Sequence, residues 1–155
     1  MRMTYDDEAN AFYLYLIGND AIDSFKVERT VIAPTDWGTF NLDFDANHRL
    51  VGIEILFAEQ SLPLDLFSEF LKPEAKISPT FAVIHKNLTM TYEEDVGAAY
   101  LYLAQNIETL KAAKTITAVS TDQGFINLDF DKDHRLLGIE VIGADALLPP
   151  ELTDQ

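Results

Sequence analysis

The chain contains two copies of one sequence pattern, and this internal repeat constrains the possible folds more than any other feature. Residues 3–16 return 87 residues later with 8 identities in 14 positions, among them the block Tyr13-Leu14-Tyr15-Leu16. Residues 38–58 return 86 residues later with 13 identities in 21 positions. The sequence therefore predicts a tandem duplication of a structural unit of about 60 residues.

Each unit shows the hydrophobic periodicity of β-strands. Phe12, Leu14 and Leu16 alternate with Tyr13, Tyr15 and Ile17, and apolar residues alternate with polar residues over 40–45. A buried stripe of alternate residues runs from Val51 to Phe57. Residues typical of turns separate these segments. We predict an α+β fold that is mainly an antiparallel β meander, with four or five strands per unit. The expected core includes Phe44, Ile53, Phe130 and Ile139.

Loop lengths predict the registers of two hairpins in the first unit, because a shift by one residue would move apolar side chains out of the core. A four-residue loop in the first hairpin pairs Met3 with Leu14. A four-residue loop in the second hairpin pairs Phe40 with Ile53. A three-residue loop would instead place Glu54 opposite Phe40 on the buried face, so we expect the four-residue loop.

One helix is predicted at about 62–72, with Ser61 as its N-cap and Pro73 ending it. Its apolar residues cover a stripe too wide for an exposed helix, so we expect it to be packed. The expected main face contains Leu64, Phe67 and Leu71, with Leu66 and Phe70 beside it.

The chain is expected to have three parts that form one compact body. These are a first repeat unit with its C-terminal helix at 1–72, a packed connector at 73–89 and a second repeat unit at 90–155. A sheet of this size needs a second surface to bury its apolar face. We therefore predict that the two units pack as a pair about an approximate two-fold axis.

The charge and composition of the chain limit the classes of partner that it can bind. The chain has 26 acidic and 11 basic residues, with a formal net charge of -15. Such a surface repels phosphate backbones and favours a basic protein partner, so we predict no direct binding of nucleic acid. No apolar run approaches the roughly 20 residues of a membrane helix. The absence of cysteine excludes disulfides and thiolate catalysis and fits a reducing compartment, so a cytoplasmic location is expected.

Motifs of both units resemble a known sequence family. Tyr5-Asp6-x-Glu8-Ala9, Leu42-Asp43-Phe44-Asp45 and Arg49-Leu50-Val51-Gly52-Ile53-Glu54-Ile55 look like the domain-of-unknown-function family 2283, and the second unit carries the same pattern. The resemblance implies a small, mainly antiparallel β unit, usually present once in short bacterial proteins. It implies no established activity and no catalytic residues. The family usually has Gly before the Arg, where this chain has His48 and His134.

An acidic motif is the candidate for metal binding. Asp43-x-Asp45-x-Asn47-His48 is repeated as Asp129-x-Asp131-x-Asp133-His134, and oxygen ligands at alternate positions are typical of the opening of a calcium loop. That loop has Gly at its sixth position, where this motif has His. The alternative is a polar strand face that runs into an Asx-type turn. We predict that the two histidines serve the turns, in the left-handed conformation.

Aromatic residues are the candidates for interaction. Tyr13, Tyr15, Tyr100 and Tyr102 lie on the strand face opposite the inferred core, and Trp37 lies in a turn where the second unit has Gln123. Tyrosine is enriched at interfaces because it combines apolar area with a hydroxyl. The alternative is that the two units or the helix cover these tyrosines within the chain.

Two functions from different classes follow from these patterns. The first is a non-enzymatic binding or protein-interaction module, without a cofactor and existing as a monomer or homodimer, which acts on a basic protein partner. The second is a metal-binding or hydrolase-like protein that uses the duplicated Asp/His turn. Whether Asp43, Asp45 and His48 converge in space distinguishes the two.

Overall fold

The first repeat and the connector form one seven-stranded antiparallel sheet. The computed structural model describes residues 1–154, with the backbone alone of Thr109. The strand order in this sheet is β3-β4-β5-β2-β1-β7-β6. Its strands are β1 Arg2–Asp6, β2 Ala11–Tyr15, β3 Arg29–Ile32, β4 Thr39–Phe44, β5 Leu50–Leu56, β6 Lys76–Ser78 and β7 Phe81–His85.

The second repeat forms a five-stranded antiparallel sheet with the same internal order, β10-β11-β12-β9-β8. The predictions of a duplicated unit, of antiparallel strands and of the α+β class are confirmed. The strand order differs from a continuous meander, because β5 and not β3 lies beside β2. The strands are β8 Met90–Glu93, β9 Ala98–Tyr102, β10 Lys114–Thr121, β11 Gly124–Phe130 and β12 Leu136–Ile142.

The helices are short and follow the last strand of each unit. The predicted helix at 62–72 is present over seven residues only, because Pro63 is its N-cap and Ser61 ends the preceding helix. Its packed side chains are Leu66, Phe67 and Phe70, whereas Leu64 is exposed, so the expected main face was wrong by a rotation about the helix axis. The helices are α1 Ala58–Ser61, α2 Leu64–Phe70, α3 Ala144–Leu147 and α4 Pro150–Thr153, with 3-10 turns at Asn19–Ala21, Pro73–Ala75 and Ile107–Thr109.

The connector between the units is part of the first sheet. Strands β6 and β7 form a hairpin, and β7 pairs with β1 so that Met3 lies opposite Ile84. The apolar residues of this segment therefore belong to a strand. Within residues 1–154, none of the helices combines the length and apolar character needed to cross a membrane.

The predicted register of the first hairpin is confirmed, since Met3 pairs with Leu14 and the equivalent Met90 pairs with Leu101. The predicted register of the second hairpin is wrong, because Phe40 pairs with Ile55.

Two local features explain the different register of the second hairpin. The loop has three residues, closed by Asp45 N donating to Arg49 O at 3.0 Å. The ladder then shifts between Asp43 and Phe44, which lie opposite Gly52 and Leu50, so Val51 is the extra residue of a β-bulge. Val51 and Leu50 are both buried, and the bulge returns Ile53 to the core face.

The predicted core residues are confirmed, and side chains of both sheets form one hydrophobic cluster. Phe130 contacts Phe40 across the units, with ring centroids 5.1 Å apart. Phe57 is a correction to the predicted stripe, because it is 58% exposed and adopts a left-handed φ of 57° as the N-cap of α1. The exposed fractions of Phe44, Ile53, Phe130 and Ile139 are 1%, 1%, 0% and 1%.

Polar contacts also join the two repeat units. The Arg135 guanidinium donates from Nη1 to the carbonyl oxygens of Glu59 at 3.0 Å and Leu62 at 2.6 Å. The Asp65 carboxylate accepts a hydrogen bond from the backbone N–H of Gln105 at 2.8 Å. These contacts tie the end of the first unit to the hairpin turn and the β9 end of the second.

Candidate functional site

Each sheet carries a pair of adjacent tyrosines on its outward face. Tyr13 and Tyr15 lie on β2 with ring centroids 4.6 Å apart, and Tyr100 and Tyr102 lie on β9 with centroids 4.5 Å apart. All four side chains are half-buried, whereas their neighbours Leu14 and Leu101 point into the core. We call these surfaces the first and second tyrosine faces.

The first tyrosine of each pair is held by a carboxylate from the next-but-one strand. Tyr13 Oη donates to Asp43 Oδ2 at 2.8 Å, and the Thr30 hydroxyl donates to Asp43 Oδ1. Burial, and then the hydrogen bond to Asp43, raise the pKa of Tyr13 well above its usual value of 10.0. The phenol therefore stays protonated at neutral pH, as a hydrogen-bond donor and not as a base.

The second tyrosine face repeats this arrangement. Tyr100 Oη donates to Asp129 Oδ2 at 2.9 Å, and the Thr115 hydroxyl donates to Asp129 Oδ1. The pKa of Tyr100 is likewise raised, first by burial and then by the hydrogen bond to Asp129. The two copies thus preserve one Tyr–Asp–Thr network.

A glycine beneath each ring makes this network possible. Gly52 lies between Asp43 and Tyr15 in the strand registers, and a Cβ there would come within 2.2 Å of Tyr13 Oη. A Cβ on Gly138 would come within 2.3 Å of Tyr100 Cε1. This role was not predicted from the sequence, although the Gly that recurs nine residues after Asp43 and nine residues after Asp129 was a usable signal.

An amide–carboxylate pair completes each face. Asn41 Nδ2 donates to Glu54 at 2.7 Å, and the equivalent Asn127 Nδ2 donates to Glu140 at 2.8 Å. Each face therefore presents a tyrosine pair bordered by two carboxylates. Both oxygens of the aspartate accept hydrogen bonds, and the glutamate accepts one hydrogen bond from an asparagine amide.

The second aspartate of the acidic motif stabilises its own turn. Asp45 Oδ1 accepts hydrogen bonds from the backbone N–H groups of Asn47 and Arg49, each at 2.9 Å. Asp131 does the same for Asp133 at 2.8 Å and Arg135 at 2.9 Å. These are Asx-type turns, the alternative to a metal site.

The candidate metal residues do not form one ligand set. The structure brings Asp43 and Asp129 to the tyrosine faces, and it places Asp45 and Asp131 in the turns. Among residues 1–154, no three His, Cys, Asp or Glu side chains lie close enough together to hold a metal ion. His48 and His134 each have a φ of 64°, which confirms the predicted left-handed conformation.

Trp37 lies apart from the tyrosine faces, at a contact between the repeats. Its indole stacks on His134, with centroids 4.6 Å apart and planes inclined by 16°, and meets Phe130 edge-on at 5.2 Å. The Lys114 ammonium lies 4.4 Å from the centre of the ring. Trp37 therefore packs against the second unit of its own chain, in a slot formed by Lys114, Phe130 and His134.

Comparison with known proteins is consistent with the duplicated architecture. A family model described as "Protein of unknown function (DUF2283)" matches the chain twice, at residues 2–58 and 89–144. The two matches cover well over half of the chain and coincide with the two β units. No curated protein and no solved structure gives a significant match.

Proposed function

The chain belongs to the DUF2283 family as a tandem copy, and we propose that it is a non-enzymatic protein-interaction module. Its second tyrosine face binds an arginine-bearing segment of a basic protein partner. The tyrosines act there as stacking surfaces, and the neighbouring carboxylates attract the positive charge.

The contact between Arg2 and Tyr15 carries this proposal. The guanidinium carbon of Arg2 lies 5.4 Å from the centre of the Tyr15 ring, so the chain supplies its own arginine to the first tyrosine face. The equivalent position in the second unit is Thr89, whose carbonyl accepts a hydrogen bond from Tyr102 N at 2.9 Å. Thr89 carries no charge, so the second tyrosine face lacks the counterpart of Arg2.

The surrounding charges favour the same partner. Glu140 lies opposite Tyr100 in the pairing of β12 with β9, and Asp129 accepts the Tyr100 hydroxyl. A single cation over an exposed aromatic ring contributes only about 0.5–1 kcal/mol. We therefore expect the partner to present several basic residues, and the net charge of -15 to accelerate its association at low salt.

The proposal is tested by titrating the protein with three synthetic peptides of equal length, rich in arginine, lysine or glutamine. We expect the arginine peptide to bind most tightly, because guanidinium stacks on aromatic faces more readily than ammonium. Tyr102→Ala should weaken its binding, and Thr89→Arg should compete with it from within the chain.

Tyr15→Ala is the matched control, because it removes the equivalent ring from the face that Arg2 already covers. It should leave the affinity for the arginine peptide unchanged. Equal affinities for the arginine and lysine peptides, together with no effect of Tyr102→Ala, would show that only diffuse charge attraction operates and would reject the tyrosine face as the site.

A further inference from the structure

Both repeats contain a Thr-Asp-x-Gly segment with the same side-chain hydrogen bond, but only one of them carries a tryptophan. In Thr35-Asp36-Trp37-Gly38 the Thr35 hydroxyl donates to the Gly38 carbonyl at 2.6 Å. In Thr121-Asp122-Gln123-Gly124 the Thr121 hydroxyl donates to the Gly124 carbonyl at 3.1 Å. Gln123 therefore occupies the position that Trp37 has in the first unit.

The slot that receives Trp37 also has a counterpart. Trp37 is held by Lys114, Phe130 and His134 of the second unit, and Lys114 lies opposite Phe130 across β10 and β11. In the first unit Arg29 lies opposite Phe44 in the same way. His48 closes the hairpin of the first unit that is equivalent to the hairpin closed by His134 in the second. The equivalent residues are Arg29, Phe44 and His48.

This second slot is a cavity. A volume of about 310 Å³ is lined by Arg29, Phe44, His48 and Gln123, among others. Gln123 of the second unit lines this cavity beside residues of the first unit, and Trp37 of the first unit packs against the second, which is the reciprocity expected of an approximate two-fold axis. The volume lies at the lower end of the range of small-molecule pockets, about 300–1,000 Å³.

We propose that this cavity binds a neutral, planar aromatic molecule of the indole class. The chain itself places an indole in the equivalent slot of the second unit. The His48 side chain is exposed and offers a face for stacking, and the Arg29 guanidinium lies 5.1 Å from the Phe44 ring, where it would cap a bound ring as Lys114 caps Trp37.

The walls determine the chemistry of the ligand. Phe44, Val119 and Leu147 are buried side chains that form an apolar floor. Asp122 also lines the cavity, and together with the net charge of -15 it disfavours an aromatic anion. Arg29 disfavours a cation, so a neutral and electron-rich ring suits the cavity best.

The test is a titration of the full chain with indole, in which NMR chemical shifts locate the binding site and calorimetry measures the affinity and the stoichiometry. We expect one equivalent of indole to bind and the shifts to centre on Phe44 and His48. Gln123→Trp should fill the cavity with the chain's own indole and lower the affinity by about tenfold or more. Indole-3-carboxylate should bind more weakly than indole.

Trp37→Gln is the reciprocal control, because it opens the slot on the second unit. This variant should bind two equivalents of indole. Binding that is unaffected by Gln123→Trp, or the absence of binding to the unmodified chain, would overturn the proposal. If Trp37→Gln fails to fold, the comparison with Gln123→Trp decides alone. Binding of the arginine peptide at Tyr102 should not respond to Gln123→Trp, which separates this proposal from the proposed function.

Discussion

At the scale of single residues, His48 and His134 show how one sequence position can have two consequences. Both close three-residue turns with a φ of 64°, a conformation that is strained for a residue with a Cβ. Of the two, His134 gains a stabilising stacking contact, because the centroid of the Trp37 ring lies 4.6 Å from that of its imidazole. The histidine of the first unit bears the strain without this stacking.

We expect His48→Gly to raise the free energy of unfolding by about 0.5–1 kcal/mol, because glycine adopts positive φ without steric cost. His134→Gly should give no gain, because it also loses a stacked ring pair worth about 0.5–1.5 kcal/mol. Urea denaturation of the two single variants measures the difference. A loss of stability in His48→Gly would contradict the turn role of His48.

Because the half-buried phenols of Tyr13 and Tyr100 donate hydrogen bonds to carboxylates, we expect stability to depend on pH in the alkaline range. The pKa values of Tyr13 and Tyr100 are raised in the folded state above the value of 10.0 that applies to the unfolded chain. Stability from these two groups is therefore complete below pH 10 and is lost as the pH rises above it, because only the unfolded chain readily releases these protons.

We expect the melting temperature of the unmodified chain to fall steeply from about pH 10 upward. The double variant Tyr13→Phe, Tyr100→Phe should show a shallower fall, measured by thermal unfolding across the alkaline range. Tyr15→Phe is the control, because it removes a hydroxyl from the same face without removing the bond from Tyr13 to Asp43. Identical pH profiles for all three proteins would refute the expectation.

At the scale of elements, the edge strands β3 and β10 differ at one instructive pair. The Thr117 hydroxyl on β10 donates to Asn127 Oδ1 at 2.8 Å. The equivalent residue on β3 is Ile32, which lies opposite Asn41 and is 67% exposed. Asn41 Oδ1 is consequently buried without a hydrogen-bond partner, a state that lowers stability.

We expect Ile32→Thr to raise the free energy of unfolding by about 0.5–1.5 kcal/mol, because it supplies the missing donor. Thr117→Ile should lower the free energy of unfolding for the opposite reason. Ile32→Val is the matched control, since it keeps the β-branch but adds no hydroxyl. The prediction fails if chemical denaturation shows the Thr and Val variants to be equally stable.

At the scale of the whole molecule, the two sheets share their core. Phe130 of the second unit contacts Phe40 and Trp37 of the first, and Arg135 binds two carbonyl oxygens at the end of the first unit. Each sheet therefore buries the apolar face of the other from solvent. Unfolding should therefore be a single cooperative transition of both units.

We expect Phe130→Ala to lower the free energy of unfolding by about 3–5 kcal/mol, because it leaves a cavity between the units. Trp37 fluorescence reports on the contact between the sheets and circular dichroism on both sheets, and their transitions should still coincide. Phe125→Ala is the control on the same strand, where the side chain is 38% exposed and the cost should be small. Two separate transitions in the unmodified chain would show that the units fold independently.

Local patterns were sufficient wherever one physical cause acts within a few residues. The repeat, the alternation around Tyr13 and Tyr15, the register of Met3 with Leu14 and the left-handed turns at His48 and His134 were all predicted correctly. In each case the burial of one strand face or the geometry of a short turn determines the structure. The outward position of the tyrosines followed from the same alternation.

Contacts between distant segments determined the rest. Alternation predicts which residues are buried, but it does not reveal the bulge at Val51, because a bulge preserves burial while it changes the register. The pairing of β5 with β2, the addition of β7 to the sheet and the partner of Trp37 each depend on surfaces that meet only after folding. The cavity lined by Arg29, Phe44, His48 and Gln123 has the same origin, since its shape depends on side chains of both repeats that are far apart in the sequence.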